Sequence, residues 1–154
     1  MPNLLDFDAA MLQAIAIAKS AKASGDVPVG AIIYNANGEE IARGNNQREL
    51  HGDPTAHAEI VAIRAATEKL GNWRLDGCTL VVTLEPCAMC AGATAQARIA
   101  HVVFGAWDEK AGAVGSVWDV IRDPRAVVKV EVTSGIRSDE CALLLKDFFA
   151  TYRD

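Results

Sequence analysis

The stretch "CTLVVTLEPCAMCAGATAQARIAHVVFGA", residues 78–106, decides the fold. Its first part, residues 78–84, is a continuous apolar run of the kind that forms a strand buried on both faces. Pro86 then favours the start of a helix, which we expect to continue to about Ala97. A second apolar run, residues 100–106, predicts another strand. Strands that alternate with helices in this way are typical of an α/β fold.

The same alternation continues on both sides of this stretch. Apolar residues at helical spacing predict a helix over residues 6–24. Asp53 and Pro54 predict the first turn of another helix, which runs to about Leu70. A capped amphipathic helix is expected from Ser138 onward. The other strands are predicted at residues 28–34 and 40–45, joined as a hairpin by a turn at residues 36–38, and at residues 126–132.

These elements predict a three-layer α/β/α sandwich with a mixed sheet of about five strands and helices on both faces. We expect residues 1–154 to form a single domain, since this length suffices for one buried core. The longest stretch without a clear element is residues 107–125. Long loops in compact domains are often functional. At most a short helix is expected within it, at "GSVWDVI", residues 115–121.

Composition narrows the class of protein. Hydrophobic residues make up 51% of the chain and charged residues 23%, as in ordinary globular domains. Fifteen Lys and Arg against twenty Asp and Glu give a net charge of −5, which argues against nucleic-acid binding through bulk positive charge but leaves a local basic groove open. The N-terminal sequence has no early cation and no long apolar run, so we expect no signal peptide, no membrane span and a cytoplasmic location. Cysteines in that compartment are more often ligands or nucleophiles than disulfides.

One histidine and two cysteines have the spacing of a metal site. Cys87 and Cys90 lie three residues apart just after a helix-starting proline, which puts both sulfurs on one helix face. The N-terminal end of a helix also favours the thiolate, the form that binds metal. His57 falls in the first turn of its own predicted helix. Three protein ligands are typical of a catalytic zinc site, in which a fourth position is left for a water of lowered pKa.

Glu59 follows His57 by two residues. In the middle of a helix the two side chains would diverge by roughly 200°, so both can face one metal only from the first turn. A carboxylate there that is not a ligand could take a proton from the water and deliver it to a substrate. The pattern H-x-E followed by P-C-x-x-C is the signature of zinc-dependent nucleobase deaminases.

Other interpretations of these motifs exist. A lone histidine in a helix is usually packed or solvated, and a lone C-x-x-C fits zinc binding, redox chemistry or packing. A redox dithiol would leave His57 and Glu59 unexplained, and no second C-x-x-C completes a four-cysteine zinc site. Cys78 and Cys141 are expected to pack in the core, and His101 is expected to have a structural role. A substrate contact stays open for His51, in the loop before the motif.

The chain resembles the bacterial tRNA-specific adenosine deaminases. The resemblance rests on segments from about residue 8 to 150, in particular "VPVGAII", "GNN", "DPTAHAEI", "NWRL", "TLEPCAMCAGA", "ARI", "VVFGAWDEKAGAVGS" and "DECALLLKDFF". It implies a cytidine-deaminase-like fold, one Zn²⁺ per subunit and a homodimer that receives RNA from both chains. The implied reaction converts adenosine to inosine at the wobble position, 34, in the anticodon loop of a tRNA, with arginine tRNA as the expected substrate.

The resemblance also implies residue roles. His57, Cys87 and Cys90 match the zinc ligands, and Glu59 matches the catalytic proton shuttle. The residues that match substrate contacts are Asn46, which reads the flipped base, Val29 and Leu84, which wall the base pocket, and Asp108, which contacts a ribose hydroxyl. Less specific matches to anticodon-loop contacts are Lys110, Phe149 and Arg153.

Two alternatives remain open at this point. The first is a deaminase of a free base or nucleoside, such as guanine or cytosine, which shares the metal motif. The second is a non-catalytic partner that keeps the metal for folding alone. The presence of Glu59 speaks against the second alternative.

Overall fold

A mixed five-stranded sheet forms the centre of the molecule in the computed structural model, which describes residues 5–151. The strand order is β2-β1-β3-β4-β5. The strands are β1 (Gly30–Tyr34), β2 (Glu40–Asn45), β3 (Thr79–Leu84), β4 (His101–Ala106) and β5 (Glu131–Thr133).

Helices cover both faces of this sheet. They are α1 (Phe7–Ser20), α2 (Arg48–His51), α3 (Ala58–Leu70), α4 (Ala88–Gln96) and α5 (Ser138–Thr151). The buried side chains of α1 and α5 pack on one face, and those of α3 and α4 pack on the other. This arrangement confirms the predicted three-layer α/β/α sandwich. None of the helices within residues 5–151 is long and apolar enough to cross a membrane.

The continuous apolar run of β3 reflects burial on both faces. Val81 points into the layer of α1 and α5, whereas Leu80 and Val82 point into the layer of α3 and α4. All three are fully buried. Neither face of the strand meets water, so both sets of alternating side chains are apolar.

Strand direction positions the functional part of the molecule. β3 pairs with β4 in parallel, from Thr79 opposite His101 to Leu84 opposite Ala106. β4 pairs in parallel with β5, whereas β1 runs antiparallel to β2 and β3. The carboxyl ends of β3 and β4 therefore lie at one edge of the sheet, which is where α/β folds place their sites.

Two predicted helix boundaries change. The predicted helix over residues 6–24 ends as α1 at Ser20 and continues as a 3₁₀ turn, Ala21–Ser24. Asp53 and Pro54 do not open α3, which begins at Ala58. The Asp53 carboxylate instead accepts hydrogen bonds from the amide (2.9 Å) and hydroxyl (2.7 Å) of Thr55, so it closes a turn before the helix.

The last predicted strand and the short helix are also corrected. The predicted strand at residues 126–132 is present only as β5, and Val127, with 95% of its surface exposed, lies outside it. No helix forms at residues 115–121, where Val114 and Asp119 form an isolated bridge and Gly115 has a φ of +128°. Left-handed backbone of that kind cannot continue a helix.

Gly30 in β1 lies against the backbone of α1. A Cβ atom at this position would meet the carbonyl oxygen of Ala14 at 2.1 Å and the amide nitrogen of Ala18 at 2.6 Å. Since both neighbours are helix backbone, they cannot move aside as a side-chain end can. The separation between α1 and the sheet therefore depends on this glycine.

We expect Gly30→Ala to lower the free energy of unfolding by about 3 kcal/mol, because α1 must shift away from the sheet. Gly92→Ala is the matched control: Gly92 lies in α4 with no atom within 4 Å of an added Cβ, and alanine there should raise stability by about 0.5–1 kcal/mol. Urea unfolding of both variants measures the difference. Equal stability of the two would contradict this account of the α1 packing.

Candidate metal centre and substrate cavity

The start of each of two helices contributes to a cluster of possible metal ligands. His57 is the N-cap of α3 and Cys87 is the N-cap of α4, both with extended backbone. Cys90 follows in the first turn of α4, so its sulfur lies on the same side as that of Cys87. The carboxyl end of β3 leads directly into this segment, which explains why the cluster lies at the sheet edge.

The distances in this cluster fit zinc. The Cys87 Sγ lies 3.6 Å and the Cys90 Sγ 3.5 Å from the Nδ1 of His57, and all three atoms are within 4.8 Å of one another. Tetrahedral zinc, with bonds of about 2.3 Å to sulfur and about 2.1 Å to nitrogen, requires a sulfur–nitrogen separation of about 3.6 Å. Within residues 5–151, these three side chains are the group that could hold a metal ion.

Hydrogen bonds within the cluster favour a thiolate at Cys87. Hydrogen bonds from Cys90 and then from His57 lower the pKa of the Cys87 thiol to about 4. The hydrogen bond to Cys87 raises the pKa of His57, whereas the hydrogen bond to Cys87 together with burial raises the pKa of Cys90. The cluster thus holds a thiolate next to protonated partners. A divalent cation would take the place of those protons, because thiolate and neutral imidazole are the metal-binding forms.

Glu59 is a buried carboxyl group beside this cluster. It is the second residue of α3 and only 4% exposed. Burial raises the pKa of Glu59 to about 7, and hydrogen bonds from its own backbone amide and from the Cys90 thiol oppose that rise in part. His57 precedes the helix as its N-cap, so the expected divergence of a mid-helix pair does not arise. A carboxyl group with this pKa can exchange a proton near neutral pH.

The cluster opens onto a cavity of about 530 Å³. Seven of the eight site residues predicted from the sequence line it: Val29, Asn46, His57, Glu59, Leu84, Cys87 and Asp108. The eighth, Cys90, is fully buried beneath it. Lys110 and Phe149 also line the cavity, whereas Arg153 lies outside the described residues.

Asn46 presents an oriented amide to the cavity. Its Nδ2 donates to the carbonyl of Val27 at 3.2 Å, and its Oδ1 accepts from the amide of Arg48 at 3.1 Å. These bonds fix the plane of the amide. One N–H and one lone pair of Asn46 remain for a ligand.

Eight residues that line the cavity were not predicted as site residues, and three of them bear on its chemistry. Arg48 begins the short helix α2, which no sequence signal indicated. Trp107 follows the carboxyl end of β4, a position at which α/β folds place ligand contacts, and that signal could have identified it. Glu85 follows β3 directly and lies between the strand and the cysteines, and no motif in the sequence singled it out.

The other histidines and cysteines lie away from the cluster. His101 bonds through Nε2 to the Thr133 hydroxyl at 2.8 Å, which agrees with the structural role expected for it. His51 ends α2 and does not line the cavity, so a substrate contact finds no support. Cys78 and Cys141 are both buried among core side chains.

Comparison with known proteins gives a family match. The pattern of the cytidine and deoxycytidylate deaminase zinc-binding region matches residues 6–106. The tRNA-specific adenosine deaminase of Bacillus subtilis is 46% identical over 93% of this chain and 88% of its own length. The tRNA(Ile)-lysidine synthase of Deinococcus radiodurans is 48% identical over 94% of this chain, which spans only 25% of that relative.

Solved structures share the fold. One, from studies of A-to-I editing by tRNA:A34 deaminases, superposes with a TM-score of 0.85 at 42% identity and covers 89% of this chain and 99% of its own. A guanine deaminase from Nitrosomonas europaea superposes with a TM-score of 0.80 at 28% identity and covers 96% of this chain and 86% of its own.

We expect Cys87→Ser to lose bound zinc, because a serine hydroxyl does not ionise to replace the thiolate. Cys141→Ser is the matched control, since it changes a buried thiol away from the cluster and should keep zinc. Metal analysis of the purified proteins by mass spectrometry gives the zinc content per chain. Wild-type zinc content in Cys87→Ser would rule out this ligand set.

Proposed function

This chain belongs to the cytidine and deoxycytidylate deaminase family, and we propose that it deaminates adenosine hydrolytically to inosine at the wobble position, 34, of a tRNA anticodon. The observation that carries the proposal is a zinc-compatible cluster beside Glu59, at the base of a cavity whose rim combines cations with exposed aromatic side chains. The similarity to tRNA-specific adenosine deaminases over most of their length supports the same substrate.

Zinc is the cofactor, since the matched region is the zinc-binding region of its family. In the proposed assignment His57, Cys87 and Cys90 hold one ion per subunit. When bound, zinc lowers the pKa of a coordinated water, which makes a nucleophile available near neutral pH.

Glu59 handles the protons of the reaction. Overall, oxygen from water replaces the amine at C6 of adenine, and ammonia leaves. Glu59 accepts a proton from the water, delivers it to N1 of the ring and then moves a second proton to the departing amine. Burial raises the pKa of Glu59 above that of an exposed carboxyl group, which favours acceptance of a proton.

The cavity walls bind the base. Val29 and Leu84 offer apolar surface for its faces, and both line the cavity. The N–H and lone pair left on the oriented amide of Asn46 can hydrogen-bond a base edge. A base in a single-stranded loop is already partly unstacked, so the cost of moving it into this cavity is small.

The rim fits an RNA loop. Arg48 and Lys110 place positive charge at the cavity, and the exposed rings of Trp107 and Phe149 offer stacking surfaces. Asp108 uses its Oδ1 to accept from the amides of the two residues that follow Glu109, so the Oδ2 remains for a ribose hydroxyl. A few placed cations suffice for specific docking, even with a net charge of −5.

We further propose a cytoplasmic homodimer that acts on arginine tRNA. The substrate and location follow the family resemblance. Large apolar side chains that are exposed on α4 and the loop after β4 support a second copy as partner: Met89, Val117, Trp118 and Val120. The bridge from Gly112 to Cys87 ties this loop to the start of α4, and exposed apolar patches often mark protein interfaces.

Deamination of free guanine is the second candidate function. The structural similarity to a guanine deaminase over most of both chains favours it. A cavity of about 530 Å³ could also hold a free purine. Exposed Trp107 and Phe149, together with Arg48 and Lys110, extend the binding surface beyond a single base, which favours the RNA substrate.

We expect one preparation of the protein to form inosine in an anticodon stem-loop with adenosine at position 34, and to turn over free adenosine and guanine far more slowly. The rim contacts reach nucleotides that a free base lacks, so their binding free energy is available only with RNA. Nucleoside analysis by liquid chromatography and mass spectrometry measures all three reactions. Turnover of guanine with inert RNA would establish the second candidate.

We expect Glu59→Ala to keep zinc and the fold but to lower deamination by at least ~10²-fold, because the substitution removes the group that moves the protons. Glu68→Ala, on the exposed last turn of the same helix, is the control and should match the wild type. Single-turnover rates and zinc content are the measurements. Full activity in Glu59→Ala would remove this residue from the mechanism.

A further inference from the structure

Glu85 is a buried acidic residue that none of the roles above uses. It directly follows β3, precedes the ligand Cys87 by two residues and is only 1% exposed. Among the ion pairs of residues 5–151, none involves Glu85. Burial of a carboxylate without a counter-ion is costly unless hydrogen bonds replace its hydration.

Four donors from one loop supply those hydrogen bonds. The Oε1 of Glu85 accepts from the amide of Asp108 at 2.9 Å and from the hydroxyl of Ser116. Its Oε2 accepts from the amides of Val114 at 3.0 Å and of Ser116 at 3.1 Å. The loop of residues 107–116 thus wraps around a single carboxylate.

The contact between Glu85 and this loop is close as well as polar. A Cβ atom added at Gly112 would meet the Glu85 carboxyl carbon at 2.3 Å and the Asp108 carbonyl oxygen at 2.5 Å. The loop has no helix or strand of its own to define its path. Two further links, the bridge from Gly112 to Cys87 and the bond from Ala113 to Pro86 at 2.8 Å, tie it to the start of α4.

We propose that Glu85 is a positioning residue that sets the distance between the metal ligands and the substrate-side wall of the cavity, and so controls capture of the RNA loop. Its backbone continues into the segment with Cys87, whereas its side chain holds the segment with Trp107, Asp108 and Lys110. The inference rests on the proposed function for its RNA substrate. Proton transfer by Glu59, on a different helix, does not pass through this contact.

Only a carboxylate satisfies this loop. Both oxygens of Glu85 accept, whereas glutamine replaces one oxygen with an NH₂ donor. The Ser116 hydroxyl can rotate to accept from that NH₂, so the amide nitrogen should take the place of Oε1. The Asp108 amide then faces a donor and loses its partner. The isosteric substitution therefore acts mainly where the loop meets the substrate.

The test compares Glu85→Gln with the wild type in zinc content, amide hydrogen exchange and steady-state kinetics on the anticodon stem-loop. We expect wild-type zinc, faster exchange of amides within residues 108–116, a KM raised about tenfold and a kcat within about threefold. Ile32→Val, a core change on the α1 face, is the control for lost stability alone, and it should change neither the loop exchange nor KM.

A second variant reaches the same contact from the loop side. Gly112→Ala presses on the Glu85 carboxyl group and should reproduce the rise in KM, so it provides the test if Glu85→Gln does not fold. Ser116→Ala removes one of four donors and should raise KM by less than Glu85→Gln does.

Several outcomes would overturn the proposal: unchanged loop exchange in Glu85→Gln, a fall in kcat at constant KM, or an equal rise in KM in Ile32→Val. Wild-type protein that is inert on RNA would instead contradict the proposed function. In that case hydrogen exchange, which needs no substrate, still decides whether Glu85 holds the loop.

Discussion

Parallel hydrogen bonding between β3 and β4 brings two carboxyl ends to the same edge of the sheet. The chain leaves β3 into the cysteine-bearing start of α4 and leaves β4 into the loop with Asp108. Antiparallel pairing would have put these two segments at opposite edges, about 20 Å apart for strands of six residues. The proposed metal ligands and substrate contacts lie close together because the crossover through α4 leads β4 back parallel to β3.

Helix N-caps then convert this edge into a site. An N-cap residue has extended backbone, so its side chain points in a direction that no helical residue can take. His57 and Cys87 both occupy this position, and Glu59 follows on the first turn. The same helix ends supply unpaired N–H groups and positive potential, which favour thiolate. The placement of the His57 and Cys87 side chains and the preference for thiolate therefore both result from the starts of α3 and α4.

Much of this could be predicted from the sequence, because it rests on local patterns. The buried run of β3 and the spacing of His57, Glu59 and the cysteines follow directly from strand and helix geometry. The start of α3 could not be predicted, since a turn with Thr55 uses Asp53 before the helix begins. The path of the loop of residues 107–116 could not be predicted from the sequence either. It depends on Glu85, whose four hydrogen-bond donors come close to it only after the sheet forms.

The two outermost strands bear on how copies of the chain behave at high concentration. β5 has three residues, and β2 has Arg43 and Glu40 joined by two hydrogen bonds of 2.7 and 2.8 Å. An edge strand that is short or carries charged side chains pairs poorly with a strand of another chain. The highly apolar β3 and β4 lie between these edge strands. Exposed, such segments would be prone to amyloid-like stacking. The order of the strands thus protects the most aggregation-prone segments of the sequence.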